Sequence, residues 1–201
     1  MRVLITGFGP FPGAPFNPSA ALAKALAGRR RPAFAGIERV VHVFATTYAS
    51  VDRDLPKLFA QKPDIVLMFG VAGRRRQLCI ETRARNAVSL LFPDASGHRP
   101  QHGAIVLRGL AALKGNAPFV CLAGAAGTKA RISRDAGNYL CNYVYWRALE
   151  HVHGTRPLVQ FVHIPPVGTK PRRRSKRPPT LAQLLKPAEA VLIALIAASG
   201  H

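Results

Sequence analysis

The most constraining feature of this chain is a rhythm. A short apolar run, a turn or glycine and a stretch of helical apolar spacing are followed by another apolar run. Val3-Leu4-Ile5-Thr6 stops at Gly7, and Pro18–Leu26 follows with helical spacing and Ser19 available as a cap. Val40-Val41-His42-Val43-Phe44 is β-branched and aromatic, and helical spacing returns over Tyr48–Ala60. Asp64-Ile65-Val66-Leu67-Met68-Phe69 is then a run of the doubly buried type, closed by Gly70. Strands apolar on both faces need helices over both. The βαβαβ order therefore predicts an α/β fold, a mostly parallel twisted sheet with helices on both faces. At 201 residues the whole chain, 1–201, fits a single domain.

Further along, Gln77–Val88 reads as an extended segment and Pro93-Asp94-Ala95-Ser96-Gly97 as turn chemistry. Residues 109–130 fit neither element: Gly115, Gly124 and Gly127 interrupt a helix, and the alanines disfavour a strand. Ala130–Ser133 reads as a short strand, Tyr139–His151 as a helix, Leu158–His163 as a strand and Thr180–Ala198 as a long helix. Residues 170–179, rich in arginine and bounded by prolines, form a basic loop. The longest strongly apolar stretch, Ala190–Ala198, falls short of the roughly 18–20 residues of a membrane span. The N-terminus lacks a signal-peptide pattern, so the expected location is cytoplasmic. Cys79, Cys121 and Cys141 form no CxxC pair and leave a free thiol, which suits a reducing compartment and indicates no cysteine zinc site. The formal charge of +20 predicts attraction to polyanions. No nucleic-acid motif accompanies it, and no aromatic residues interleave the basic run.

Sites of open parallel sheets sit at the carboxyl ends of strands. After the first strand, Gly7-Phe8-Gly9-Pro10-Phe11-Pro12-Gly13 mimics a phosphate loop, but Pro10 and Pro12 remove backbone donors that such a loop would use. Phe8 and Phe11 either make an apolar slot for a flat group or pack down on the sheet. Asp135-Ala136-Gly137-Asn138-Tyr139-Leu140-Cys141-Asn142-Tyr143 is a small-residue turn entering a helix with Cys141 in its first turn. The positive end of the dipole there favours thiolate, and free amides could stabilise an oxyanion; an inert cysteine is the alternative. Cys79 and Cys121 read as inert, in apolar surroundings. His163 ends the run Leu158-Val159-Gln160-Phe161-Val162, where it could face a site cysteine or serve as a structural histidine. His151 and His153 read as helix-end residues. Glu81, after Leu78-Cys79-Ile80, taken alone reads as one half of a surface ion pair.

Together, Thr6–Gly13, Asn17-Pro18-Ser19, Ala136–Asn142 and Phe161-Val162-His163-Ile164-Pro165 resemble, in order and spacing, the pyroglutamyl peptidase I (pyrrolidone-carboxylate peptidase) family of cysteine peptidases over nearly the whole chain. The resemblance implies a cysteine exopeptidase removing N-terminal pyroglutamate. Cys141 would be nucleophile, His163 base and Glu81 the orienting carboxylate. Phe8, Phe11, Gly70 and Val71 would bind the lactam, with no metal or nucleotide cofactor. Relatives often assemble as dimers or tetramers. The chain departs from the family at Leu91, aligned with an arginine in bacterial relatives; Arg83 or Arg85 would be the substitute cation. A degenerate relative acting as a binding protein, or a polyanion or nucleic-acid binder, are the alternative expectations.

Overall fold

The computed structural model describes residues 1–11, 15–168 and 178–200; the basic run at 170–177 lies outside the described residues. Along the chain run β1 (Arg2–Phe8), α1 (Pro18–Ala27), β2 (Glu38–Phe44), α2 (Tyr48–Phe59), β3 (Ile65–Val71), β4 (Leu78–Glu81), β5 (Arg83–Arg85), β6 (Ala112–Lys114), α3 (Phe119–Ala126), β7 (Ala130–Ser133), α4 (Leu140–Leu149), β8 (Leu158–Ile164) and α5 (Leu181–Ala198). Six strands form one sheet in the order β2-β1-β3-β8-β4-β7. All neighbours are parallel except β4 and β8, which run antiparallel. The short β5 and β6 pair separately as an antiparallel ribbon.

Side-chain alternation distributes the apolar runs over two cores. On one face Ile5, Ile65 and Leu67 pack with Leu22 and Leu26 of α1, Leu122 of α3 and Leu192 and Leu195 of α5. On the other, Leu4, Val66 and Met68 pack with Val51 and Leu55 of α2 and Val144 and Tyr145 of α4. Helices cover both faces, as the βαβαβ rhythm predicts. By length and composition α5 is apolar enough to cross a membrane. Here it is a core helix, with Leu184, Ala188, Val191, Leu192 and Leu195 buried and a Thr180–Gln183 capping box at its start.

Four local expectations change. Gly7 does not end β1, which continues to Phe8; a Cβ on Gly7 would lie 2.6 Å from the carbonyl oxygen of Ser19, so glycine lets α1 close on the strand. Asn17, not Ser19, caps α1: its Oδ1 accepts from the Ser19 amide at 3.2 Å, while Ser19 Oγ accepts from the Phe8 amide at 3.0 Å. The unassigned 109–130 stretch holds β6 and α3, and α3 is fixed by packing Leu122 and Ala126 into the core rather than by propensity. Cys121, on the same helix, is exposed rather than set in apolar surroundings. At the far end of α4, His151 stacks on Phe59 with centroids 4.4 Å apart, and burial pushes its pKa below the usual value.

Candidate active site

The carboxyl ends of β3 and β8 lie side by side, with Gly70 and His163 as register partners. β4 joins β8 from the other side and delivers Glu81. Glu81 is 0% exposed and His163 is 5% exposed, and His163 Nδ1 lies 2.9 Å from Glu81 Oε1. The carboxylate is thus the buried partner of an imidazole, not the surface ion pair that its local sequence suggests. A strand with neighbours on both sides hides the acid, because β4 lies between β8 and β7. The second carboxylate oxygen accepts from the Asp135 amide at 3.2 Å, linking the acid to the turn before α4.

That turn sets the approach of the thiol. Gly137, at φ +83°, occupies a conformation open to glycine, and its amide donates to Asp135 Oδ1 at 3.1 Å. Cys141 follows as the second residue of α4, partly exposed, where the first-turn amides have no partners within the helix. Asn142, fully buried, ties the helix to β5: its Oδ1 accepts from the Arg85 amide at 2.8 Å, and its Nδ2 donates to the carbonyls of Arg85 (2.8 Å) and Ala87 (2.9 Å). Gly70 completes the arrangement from below. A Cβ there would lie 2.6 Å from Cys141 Sγ and 2.7 Å from Phe161 Cζ, so the thiol occupies space that only glycine leaves. Hence β3 runs on through Gly70 to Val71 instead of ending before it.

Cys141, His163 and Glu81 converge here. Burial is the largest influence on His163 and opposes its charged form. Hydrogen bonds and charges from Cys141 and Glu81 outweigh it and raise the pKa to about 10. With Nδ1 engaged by Glu81, Nε2 is the ring nitrogen left for the thiol. Phe161 supports the ring edge-on, 4.9 Å between centroids.

The loop after β1 is braced at Gly9, whose carbonyl accepts from Asn17 Nδ2 and Thr46 Oγ1, both at 3.0 Å. Phe8 is buried against Phe44, 5.9 Å between centroids, and Phe11 is half-buried. Phe8 thus packs down on the sheet, while Phe11 keeps an open face. Leu91 sits 75% exposed in the segment between β5 and β6. Arg85 donates to the Gly137 carbonyl at 3.2 Å and pairs with Asp135, and Arg83 donates to the Arg134 carbonyl at 3.0 Å, so both hold the turn before α4.

Sequence reasoning assigned no role to Gln160 and Tyr145, yet both donate to the Glu81 carbonyl, at 3.0 and 3.1 Å. The signal available was an amide side chain inside the apolar run Leu158–Val162, since a polar group in a doubly buried strand needs a buried partner. Among the described residues no cluster of His, Cys, Asp and Glu could hold a metal ion.

Comparison with known proteins identifies the family and the fold. The pyroglutamyl peptidase family model matches residues 1–200. The pyrrolidone-carboxylate peptidases of Vibrio vulnificus and Bacillus subtilis are each 34% identical to this chain, over 82% of it and 78% of their own lengths. The crystal structure of Bacillus amyloliquefaciens pyroglutamyl peptidase I superposes with a TM-score of 0.83 at 28% identity, covering 100% of this chain and 97% of that one. A mutant pyrrolidone carboxyl peptidase from Pyrococcus furiosus gives 0.85 at 26% identity, covering 99% and 100%. This chain belongs to the pyroglutamyl peptidase family of cysteine peptidases.

Proposed function

We propose that this chain is an exopeptidase that hydrolyses the amide bond after an N-terminal pyroglutamyl residue, with Cys141 as nucleophile, His163 as general base and acid, and Glu81 as orienting carboxylate. The observation that carries the reading is the buried Glu81–His163 pair at 2.9 Å, set beside the Cys141 thiol, which fills the space over Gly70, the register partner of His163. His163 Nε2 takes the Sγ proton, and the thiolate adds to the pyroglutamyl carbonyl to form a tetrahedral oxyanion. First-turn amides of α4 stabilise that charge, each such donor being worth about 2.7–4 kcal/mol. Collapse breaks the C–N bond as His163 protonates the leaving amine, giving a thioester and a free peptide. Water, deprotonated by His163, then adds to the thioester; pyroglutamate leaves and the proton returns to sulfur. Glu81 holds Nδ1 protonated and stabilises the imidazolium formed in each half-reaction.

The pyroglutamyl ring is flat and uncharged. Phe11 offers its open face to the ring, with Phe8 packed beneath the same loop, and the backbone at Gly70 and Val71 borders the slot beside the thiol. The +20 charge supports non-specific attraction to polyanions, which rising salt would weaken. Exposed Leu90, Leu91, Phe92, Leu107 and Leu110 favour assembly into dimers or tetramers. The three free cysteines suit a reducing, cytoplasmic setting.

Trapping the intermediate tests the chemistry. Acid quenching during turnover of a pyroglutamyl amide, followed by peptide mass analysis, should place one pyroglutamyl group on the peptide containing Cys141. An acyl group on the peptide containing Cys79 or Cys121 would overturn the assignment of the nucleophile.

A further inference from the structure

The last residue of β4 has a pairing problem. β4 and β8 are in register only at Cys79↔His163 and Ile80↔Val162, so the Glu81 main-chain carbonyl lies past the end of that ladder, inside the protein. A buried carbonyl without a partner is costly and leaves its residue free to shift. Two side chains fill the gap. Gln160, two residues before Val162 on β8, donates Nε2 at 3.0 Å, and Tyr145, one turn beyond Cys141 on α4, donates its hydroxyl at 3.1 Å. Both are 0% exposed.

Their surroundings hold them in place. A Cβ on Gly115 would lie 2.3 Å from the Tyr145 oxygen, so glycine makes room for that hydroxyl, and the Gly115 amide donates to the Thr82 carbonyl at 2.9 Å. Burial pushes the Tyr145 phenol well above its ordinary pKa, which keeps it a donor. Thr82 is fixed from the far side by its amide, 2.8 Å from the Ser133 carbonyl. The strand therefore leaves the ladder at Glu81 without losing its position.

We infer that Gln160 and Tyr145 are positioning residues for the reaction: by clamping the Glu81 carbonyl they fix its carboxylate against His163 Nδ1. This rests on the Cys141–His163–Glu81 reading above. Both also meet Phe161, whose carbonyl accepts from Gln160 Nε2 at 2.6 Å and whose ring lies 5.8 Å from that of Tyr145, but the Glu81 carbonyl is the acceptor the two share, so loss of either donor loosens the carboxylate–imidazole contact without touching substrate. Misplacement of that kind appears in kcat rather than KM. It also weakens the carboxylate's hold on the imidazolium, so the basic limb of the pH profile moves to lower pH. The titratable groups facing the pair, among the described residues, are Cys141 and Tyr145 on α4 and Arg131 on β7, with Cys79 on β4 beside them; β3 offers only Gly70.

The test compares Tyr145→Phe, which removes one hydroxyl at nearly constant volume, with Gln160→Met, which removes the amide donor at similar length. Each is assayed on a pyroglutamyl amide across pH beside wild type and Cys141→Ala, with circular dichroism to confirm folding. The inference expects kcat to fall about tenfold with KM within about twofold, and the basic limb to move down by roughly half a pH unit or more. Either variant alone suffices should the other fail to fold. A folded variant with wild-type kcat and limb overturns the inference, and so does a lower kcat with an unmoved limb, which is the mark of general loosening. Turnover by Cys141→Ala would instead overturn the underlying site reading.

Discussion

Two regions flank the thiol, and they are built differently. On one side the ends of β3, β8 and β4 bury Gly70, His163 and Glu81 with nearly every polar atom engaged. On the other, the segment from β5 to β6 exposes Leu90, Leu91, Phe92, Leu107 and Leu110 between anchor points at Asn86, Ser89, Asp94 and Ala95. Ser89 donates its amide to the Asn138 carbonyl at 2.6 Å, and Tyr139 donates its hydroxyl to the Pro93 carbonyl at 2.8 Å. In the buried region a one-atom change meets neighbours that cannot move. In the exposed region, where Leu91 lies, a side chain meets few fixed neighbours, and surface exchanges usually cost little.

The strongest test of the rigid side is Gly70→Ala. The added methyl falls on Cys141 Sγ and Phe161 Cζ, so the thiol must shift. Displacement of a reacting atom by about 1 Å costs on the order of a hundredfold in kcat. Steady-state kinetics beside a thermal melt would show whether activity falls far more than stability.

Glu81→Gln comes next, with kcat down about ten- to a hundredfold and a change in pH dependence. His163 is raised to about 10 largely by partners that include Glu81. The charged ring is present below that pKa and lost as pH rises through it. Removing the carboxylate lowers the pKa, so the basic limb of kcat/KM should retreat toward neutral pH. An unmoved limb would mean that the carboxylate does not govern the imidazole.

Asn142→Ala probes the seam between the two regions. It strands the Arg85 amide and the Ala87 carbonyl and leaves the Arg85 carbonyl only its bond from the Ala87 amide, so a loss of about 1–3 kcal/mol is expected in urea unfolding. The smallest effect belongs to Leu91→Arg, which should leave kcat/KM within about twofold, as surface exchanges usually do. A hundredfold gain would show that the segment reaches the reaction centre and that the contrast is wrong.

Unbroken apolar runs made β1, β3 and β8 legible, because doubly buried strands advertise themselves over several residues, while β2, a half-buried edge strand, showed itself by its β-branched and aromatic residues. Cys141 and His163 were legible as residues at a helix start and a strand end, but their union came from family resemblance. Glu81 was misread from its own neighbours, because its burial depends on β4 joining β8 in the opposite direction, a tertiary event that leaves no local trace. α3 was illegible for the same reason: its small residues become helical by packing against α5 and β7. Ser19, Gly7 and Gly70 spoke ambiguously, since each is defined by what approaches it in space.

The most direct measurement is release of a fluorophore from a pyroglutamyl amide by wild type and Cys141→Ala, side by side under reducing conditions. The account predicts turnover by wild type and none above background by the variant, with both folded. Equal rates from the two would contradict it.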